Sequence, residues 1–256
     1  MVAGLETFKT FFADFKDCYV LIGGSACDVY FAEQDIPFRV THDLDMILCV
    51  EALTPAFFSR FWQFVREGGY KHRQKSDGHR QFYRFTAPTV KGYPAMLELF
   101  SRKADFLPEE FAGHLTPIPT DEESSSLSGI LLDGDYYDFV MANRLEVEGV
   151  TILNPIALIV LKAIAWLDLT LKKEAGDKHA YSKDISKHKN DIARITTTIP
   201  VRDYGLPNVI KNKMREFMTM YSRVEIDVSA TGVPIAADEV RSRLRECFGL
   251  QGFAEP

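Results

Sequence analysis

The sequence predicts an α+β fold in two domains, with a sheet-containing domain over residues 1–153 and an α-helical domain over residues 154–256. Three observations lead there. Short apolar runs of strand length alternate with amphipathic stretches of helical spacing as far as Leu153. Asn154-Pro155 marks a boundary, because Pro155 suits the first position of a helix. Beyond that step the chain turns helical.

Composition bounds the class. The chain has 256 residues, 46% hydrophobic and 26% charged, which is ordinary for a soluble globular protein with a substantial core. A net charge of -6 argues against general attraction to nucleic acid but leaves room for a local basic surface. Cys18, Cys27, Cys49 and Cys247 are scattered, with no C-x-x-C pair. They read as reduced core thiols of a cytoplasmic protein, not as a disulfide frame or a zinc site. The opening fifteen residues carry acids and lack a basic segment followed by an apolar one, so no signal peptide is expected. The longest apolar run, Ile156 to Leu171, is too short for a membrane span and contains Lys162 and Asp168.

Taken in order, Leu5, Phe8, Phe12 and Phe15 describe an amphipathic opening helix. Tyr19 to Ile22 reads as a buried strand running into Gly23-Gly24-Ser25-Ala26, with a helix expected over Cys27–Ala32. A strand, small-residue turn and helix in succession can present backbone N–H groups and a positive helix end to phosphate, although a plain tight turn uses the same residues. The acidic strand Arg39–Leu48 follows, then Pro55 and an aromatic helix over 56–67 ended by Gly68-Gly69. Strands are expected at Arg80–Thr86 and Ala95–Phe100. Residues 103–126, with Asp121, Glu122 and Glu123, read as a polar surface excursion. Strands return at Gly129–Leu132, Phe139–Val147 and Val150–Leu153. In the second domain, Ile156–Lys172 is apolar on nearly every side and should be buried. A polar loop then leads to Ser182, a candidate cap for the helix Lys183–Ile195. Two further amphipathic helices are expected near 207–221 and 237–248.

The chemistry-bearing residues stand out from this frame. Asp43 and Asp45 are two apart, so on a strand their carboxylates share one face while Leu44, Met46 and Leu48 point into the core. Crowded carboxylates repel unless a cation lies between them, which makes the pair a candidate Mg²⁺ site; a solvated edge strand is the plain alternative. Glu98, between Leu97 and Leu99, is either a solvated acid on an edge strand or a third carboxylate beside the pair. Lys162, inside a buried helix, must face an acid or a phosphate. Lys187 and Asp191, four apart, lie one above the other on their helix and would make at least a surface ion pair.

Ile22-Gly23-Gly24-Ser25-Ala26, Arg39-x-Thr41-x-Asp43-Leu44-Asp45 and Leu97-Glu98-Leu99 together resemble the polymerase-β-like nucleotidyltransferase superfamily. With Lys162 and the Lys187-His188-x-x-Asp191-Ile192 helix, the chain is most similar to AbiEii-type nucleotidyltransferases, the toxin halves of type IV toxin–antitoxin and phage-defence pairs. The resemblance covers residues 18–195. It implies a nucleotidyltransferase fold, a mixed central sheet flanked by helices, with the helical domain closing over the nucleotide site. It implies that Asp43, Asp45 and Glu98 bind Mg²⁺ or Mn²⁺, with Glu98 also polarising the attacking hydroxyl. Gly23, Gly24 and Ser25 would contact nucleotide phosphates. A helical lysine and aspartate would complete the site, Lys162 or Lys187 with Asp184 or Asp191, of which Lys187 and Asp191 are favoured because they belong to the helix motif, with Lys162 next. Arg39 and Thr41 would hold the acidic strand, and His42 and His188 would pack.

The activity implied is Mg²⁺-dependent transfer of an NMP from an NTP to an acceptor hydroxyl on tRNA, another RNA or protein, with a cognate antitoxin as partner. Lys187, Lys189, Arg194, Lys211, Lys213 and Arg215 would form a local basic surface for RNA. The alternatives are an antibiotic-modifying nucleotidyltransferase and a non-catalytic nucleotide-binding or interaction module.

Overall fold

A computed structural model of the chain describes residues 2–71, 82–101, 133–226 and 235–251. Among them, the residues up to Asn154 form one compact unit and those from Pro155 form another. The first unit is built on a six-stranded mixed sheet and the second is helical, so the fold is α+β. The expected strand over Gly129–Leu132, the beginning of the strand at Arg80 and the excursion over 103–126 lie outside the described residues.

The sheet unit contains α1 (Leu5–Phe11), β1 (Tyr19–Leu21), α2 (Gly23–Ala32), β2 (Asp43–Leu48), α3 (Pro55–Gly68), β3 (Phe82–Thr86), β4 (Met96–Phe100), α4 (Gly134–Ala142), β5 (Arg144–Val147) and β6 (Val150–Leu153). The strand order is β3-β4-β2-β1-β6-β5. β2 pairs antiparallel with β1 and parallel with β4, and β3 pairs antiparallel with β4. β1 is buried at all three residues, as befits a central strand covered on both faces. Along β2, Leu44, Met46 and Leu48 are buried while Asp43 and Asp45 are half-buried, so the alternation separates acids from core as expected. β5 exposes Arg144, Leu145 and Glu146.

The core of this unit is aromatic. α1 and the 3₁₀ turns that follow it bring Phe8 and Phe12 onto Tyr19, with Phe8 5.1 Å from the Tyr19 ring centre. Phe57, Phe61 and Phe64 of α3 close over the same cluster, and Phe61 meets Phe85 edge-on at 5.3 Å. Edge-to-face packing of this kind stabilises beyond the area it buries. The start of α3 is set by Pro55 at its first position and by Thr54, whose hydroxyl accepts from the Phe57 N–H.

Two local readings are corrected. Phe139 to Ala142, expected as the start of a strand, belongs to α4, and only Arg144–Val147 is extended. Asp133 caps that helix through the Asp135 N–H, and Tyr136, Tyr137, Phe139 and Val140 bury one helical face. The Tyr137 hydroxyl donates to Glu51 at 2.5 Å and accepts from the Val50 N–H, which pins the helix to the segment after β2. The second correction concerns the glycine turn: α2 begins at Gly23, not at Cys27, so Gly23, Gly24 and Ser25 form its first turn.

The helical unit contains α5 (Pro155–Glu174), α6 (Ser182–Thr198), α7 (Asn208–Tyr221) and α8 (Ala237–Cys247). α5 is buried on most of its circumference from Ile156 to Leu169, as its unbroken apolar sequence requires. Trp166 meets Phe217 and Tyr221 of α7 edge-on, each at 5.5 Å. Tyr181, not Ser182, occupies the cap position of α6; the Ser182 hydroxyl instead accepts from Lys173 near the end of α5. Among the described residues no helix is long and apolar enough to cross a membrane. All four cysteines are buried and none is in a disulfide.

Candidate functional site

The sheet lines up charge across neighbouring strands. Asp45 of β2 stands opposite Glu98 of β4, and Glu98 stands opposite Arg84 of β3. Directly opposed residues project from the same face, on strands about 4.8 Å apart, so Asp45, Glu98 and Arg84 form one row. Asp43 lies two residues along β2 on the same face, opposite Met96.

Glu98 is not a solvated acid on an edge strand. β4 is flanked on both sides, and Glu98 is 8% exposed. Arg84 answers its charge: the Nε–H donates to Oε1 at 2.5 Å. Charge-assisted bonds of this geometry are among the strong ones. Arg84 is a residue the sequence reading missed. The signal was present as a lone cation between Tyr83 and Phe85, the mirror image of Glu98 between Leu97 and Leu99.

At the other end of the row, Asp45 meets the start of α2. The Ile22 N–H donates to the Asp45 carbonyl at 2.9 Å, extending the pairing of β1 with β2 to the residue before the helix. Gly23 then takes φ +63°, and a Cβ placed there would lie 2.3 Å from the Asp45 Oδ2. Only glycine meets both demands at once. Gly24 is crowded by its own chain too, since a Cβ there would lie 2.8 Å from the Thr41 Oγ1 and 3.1 Å from an Arg39 nitrogen. The two glycines therefore let the acidic segment press against the first turn of α2. Arg39 and Thr41 sit against that turn, in keeping with a bracing role.

Gly23 is half-buried, whereas Gly24 and Ser25 are buried. The Ser25 hydroxyl, expected to contact phosphate, is fully buried and donates to the Ile22 carbonyl at 2.9 Å. The Ile22 side chain offers no cap to α2, and its first turn holds no acid. The helix start therefore keeps its partial positive charge beside Asp45.

The helical unit brings together a second pair. Lys162 of α5 donates to Asp191 of α6 at 2.7 Å, and both are almost wholly buried. Of the two partners a buried lysine demands, an acid is in place. Asp191 is not on the surface, as the Lys187–Asp191 ion pair would have it, and the lysine bonded to it comes from α5. Lys187 itself is half-buried, and His188 is buried on the same helix.

Among the described residues no three or more His, Cys, Asp or Glu side chains are gathered into a group able to hold a metal ion. Asp43, Asp45 and Glu98 share a face without converging as such a set. Mg²⁺, however, needs only one or two carboxylates when substrate phosphates supply further oxygens. Asp43 and Asp45 fit that lesser requirement. No protein-family model matches the chain, and no curated protein is similar enough to stand as a relative.

Proposed function

We propose that the chain is a Mg²⁺-dependent nucleotidyltransferase of the polymerase-β-like fold, similar to AbiEii-type enzymes. It would move an NMP from an NTP to an acceptor hydroxyl on RNA, tRNA or protein. The observation that carries this reading is the contact of Asp45 with Gly23 at the uncapped start of α2. A phosphate at that helix end would be repelled by Asp45 unless a dication lay between them. An acid pair and an anion-binding helix start held this close together suit a metal–phosphate substrate better than a bare anion or an apolar ligand.

Asp43 and Asp45 would hold Mg²⁺, or Mn²⁺ in its place, and the backbone of Gly23 and Gly24 would receive phosphate oxygens. Bound there, the metal would screen the charge that builds on the transferring and leaving groups. The acceptor oxygen forms its bond to the α-phosphorus, the bond to the β-phosphate oxygen breaks, and pyrophosphate leaves. Glu98, next in the row, would accept the hydrogen bond of the attacking hydroxyl. Positioning and electrostatics suffice, so no covalent nucleophile is required. The resemblance also assigns roles to Lys187 and Asp191, to be tested by substitution. A toxin role would require a cognate antitoxin.

The test is incubation of the purified chain with each α-labelled NTP, Mg²⁺ and total RNA, beside the Asp43→Ala/Asp45→Ala double variant. Label on RNA or protein with the wild type alone is expected. Equal labelling by the double variant would remove Asp43 and Asp45 from the chemistry. NTP binding without pyrophosphate release on any acceptor would leave a binding module instead.

A further inference from the structure

We infer that β5 is a docking edge for a second copy of this chain, the two β5 strands pairing antiparallel about Leu145. The pairing is independent of the activity proposed above and follows from backbone direction, exposure and charge. β5 lies at the end of the sheet, bonded only to β6 among the described residues, and Arg144, Leu145 and Glu146 are exposed. At the opposite end β3 is partly covered, since Lys71 exchanges backbone bonds with Thr86 at 2.8 and 3.2 Å. The β5–β6 hairpin fixes which groups of β5 face outward. Glu148 and Gly149 take φ 47° and 85°, the tight two-residue turn that matches strand twist. The Asn154 N–H donates to the Asn143 carbonyl at 2.9 Å, so Asn143, and by alternation Leu145 and Val147, turn their backbone groups toward β6. Arg144 and Glu146 turn theirs away from the sheet. An edge with outward N–H and C=O groups is a template for another strand.

Charge selects both the occupant and the register. A docked antiparallel strand must set its own outward-facing residues opposite Arg144 and Glu146, because only such pairs exchange both backbone bonds. For a second copy, one register sets Arg144 opposite Arg144 and another sets Glu146 opposite Glu146, and like charges face to face destabilise a sheet. The register between them sets Arg144 of each copy opposite Glu146 of the other, so both ends of the pairing carry opposite charges. Its two-fold axis passes through Leu145. That side chain, 39% exposed in the single chain, then meets its counterpart in a non-hydrogen-bonded pair, where side chains approach most closely. The charged side chains are partly preset: Glu146 is held by Lys16 at 2.5 Å, and the Arg144 Nε–H donates to the Met141 carbonyl at 3.0 Å. Ordering them on docking therefore costs less entropy. The strand is only four residues long, so the contact is small and the dimer is weak and concentration-dependent.

The experiment is sedimentation velocity of the full-length chain in low salt, at concentrations from about 10 µM to about 1 mM. The weight-average mass of the wild type should rise from the 29.0 kDa of one chain toward twice that value, and high salt should weaken the association several-fold. Leu145→Lys, which sets two ammonium groups on the axis, should weaken it about tenfold or more. Arg144→Glu and Glu146→Arg should each do the same alone. Mixed in equal amounts, those two variants should associate about as well as the wild type, because each strand then carries the charges the other needs. Leu145→Cys should form a disulfide between two chains in the presence of oxidised glutathione, since opposed strand residues lie within disulfide reach and the native cysteines are buried. Circular dichroism reports the fold of each variant. A wild-type chain that stays monomeric over the whole range would overturn the inference and leave the edge to a strand of another protein. A dimer that survives Leu145→Lys would place the contact elsewhere and overturn it too. So would a mixture of the two charge variants that stays monomeric while the wild type associates.

Discussion

Two cation–carboxylate pairs, one in each unit, look alike in distance and differ in setting. Lys162 and Asp191 meet at 2.7 Å with both side chains about 4% exposed, between two helices. Arg84 and Glu98 meet at 2.5 Å on adjacent strands, with side chains 21% and 11% exposed, in a row that continues to Asp45. The first pair is sealed from water. The second retains access to solvent and shares its face with two more acids. A sealed pair is costly to break and contributes little when intact, because desolvation of both charges cancels most of their attraction. A partly wet pair beside other acids is cheaper to break and better placed to tune its surroundings.

The largest effect should come from breaking the sealed pair on one side. Lys162→Met or Asp191→Asn leaves a buried charge without its partner and should cost about 3–5 kcal/mol in urea unfolding. The double change Lys162→Met/Asp191→Leu should recover most of that loss, and failure to recover would show that the pair does more than satisfy itself. The corresponding break in the sheet unit, Arg84→Gln, should cost less, about 1–3 kcal/mol, because a neutral hydrogen bond to Glu98 remains and water reaches the site. A larger loss for Arg84→Gln than for Lys162→Met would reverse the ranking of the two settings. Gly23→Ala comes next, at about 1–3 kcal/mol from the left-handed backbone alone. It should also displace Asp45 and weaken Mn²⁺ binding, an effect that no substitution in the helical pair is expected to reproduce.

The smallest effect concerns thiols. Burial pushes Cys18 and Cys49 up to about 11, with Arg144 partly opposing this at Cys49. In the helical unit burial also raises Cys247. A thiol whose folded value lies above its ordinary value of 9.0 favours the folded state while protonated. That contribution is fully present below about pH 9 and fades as pH rises through 11. Iodoacetamide at pH 8 should therefore label the native protein slowly and the urea-unfolded protein fast, and unfolding midpoints should fall between pH 9 and pH 11. Rapid native labelling at Cys18 or Cys49 would contradict their burial.

Patterns with one dominant cause were readable from residues alone. The acid and apolar alternation of β2, the aromatic stripe of α3 and the all-round apolar α5 each reflect burial on a fixed period, and the structure has each as expected. What escaped depended on partners distant in sequence or on caps. Phe139 to Ala142 is apolar and β-compatible, and the helix is decided by Asp133 and by the anchoring of Tyr137 on Glu51. The glycine turn was legible as a place of close approach, yet what approaches it is Asp45, Arg39 and Thr41 of the same chain. Lys162 was legible as a cation in need of an anion, but not that Asp191 supplies it. Arg84 went unread because its meaning lies in the register of β3 with β4, which a linear reading cannot supply.

That register has a kinetic consequence. The row from Ile22 through Asp45 and Glu98 to Arg84 joins four strands, and the parallel pairing of β2 with β4 links residues 53 apart, Asp45 to Glu98. Loop closure over such separations is slow relative to helix formation and to local hairpins. The helices and the β3–β4 hairpin can thus form while the charged row is still incomplete. Whatever chemistry the row performs is withheld from the nascent and half-folded chain until β2 and β4 have paired.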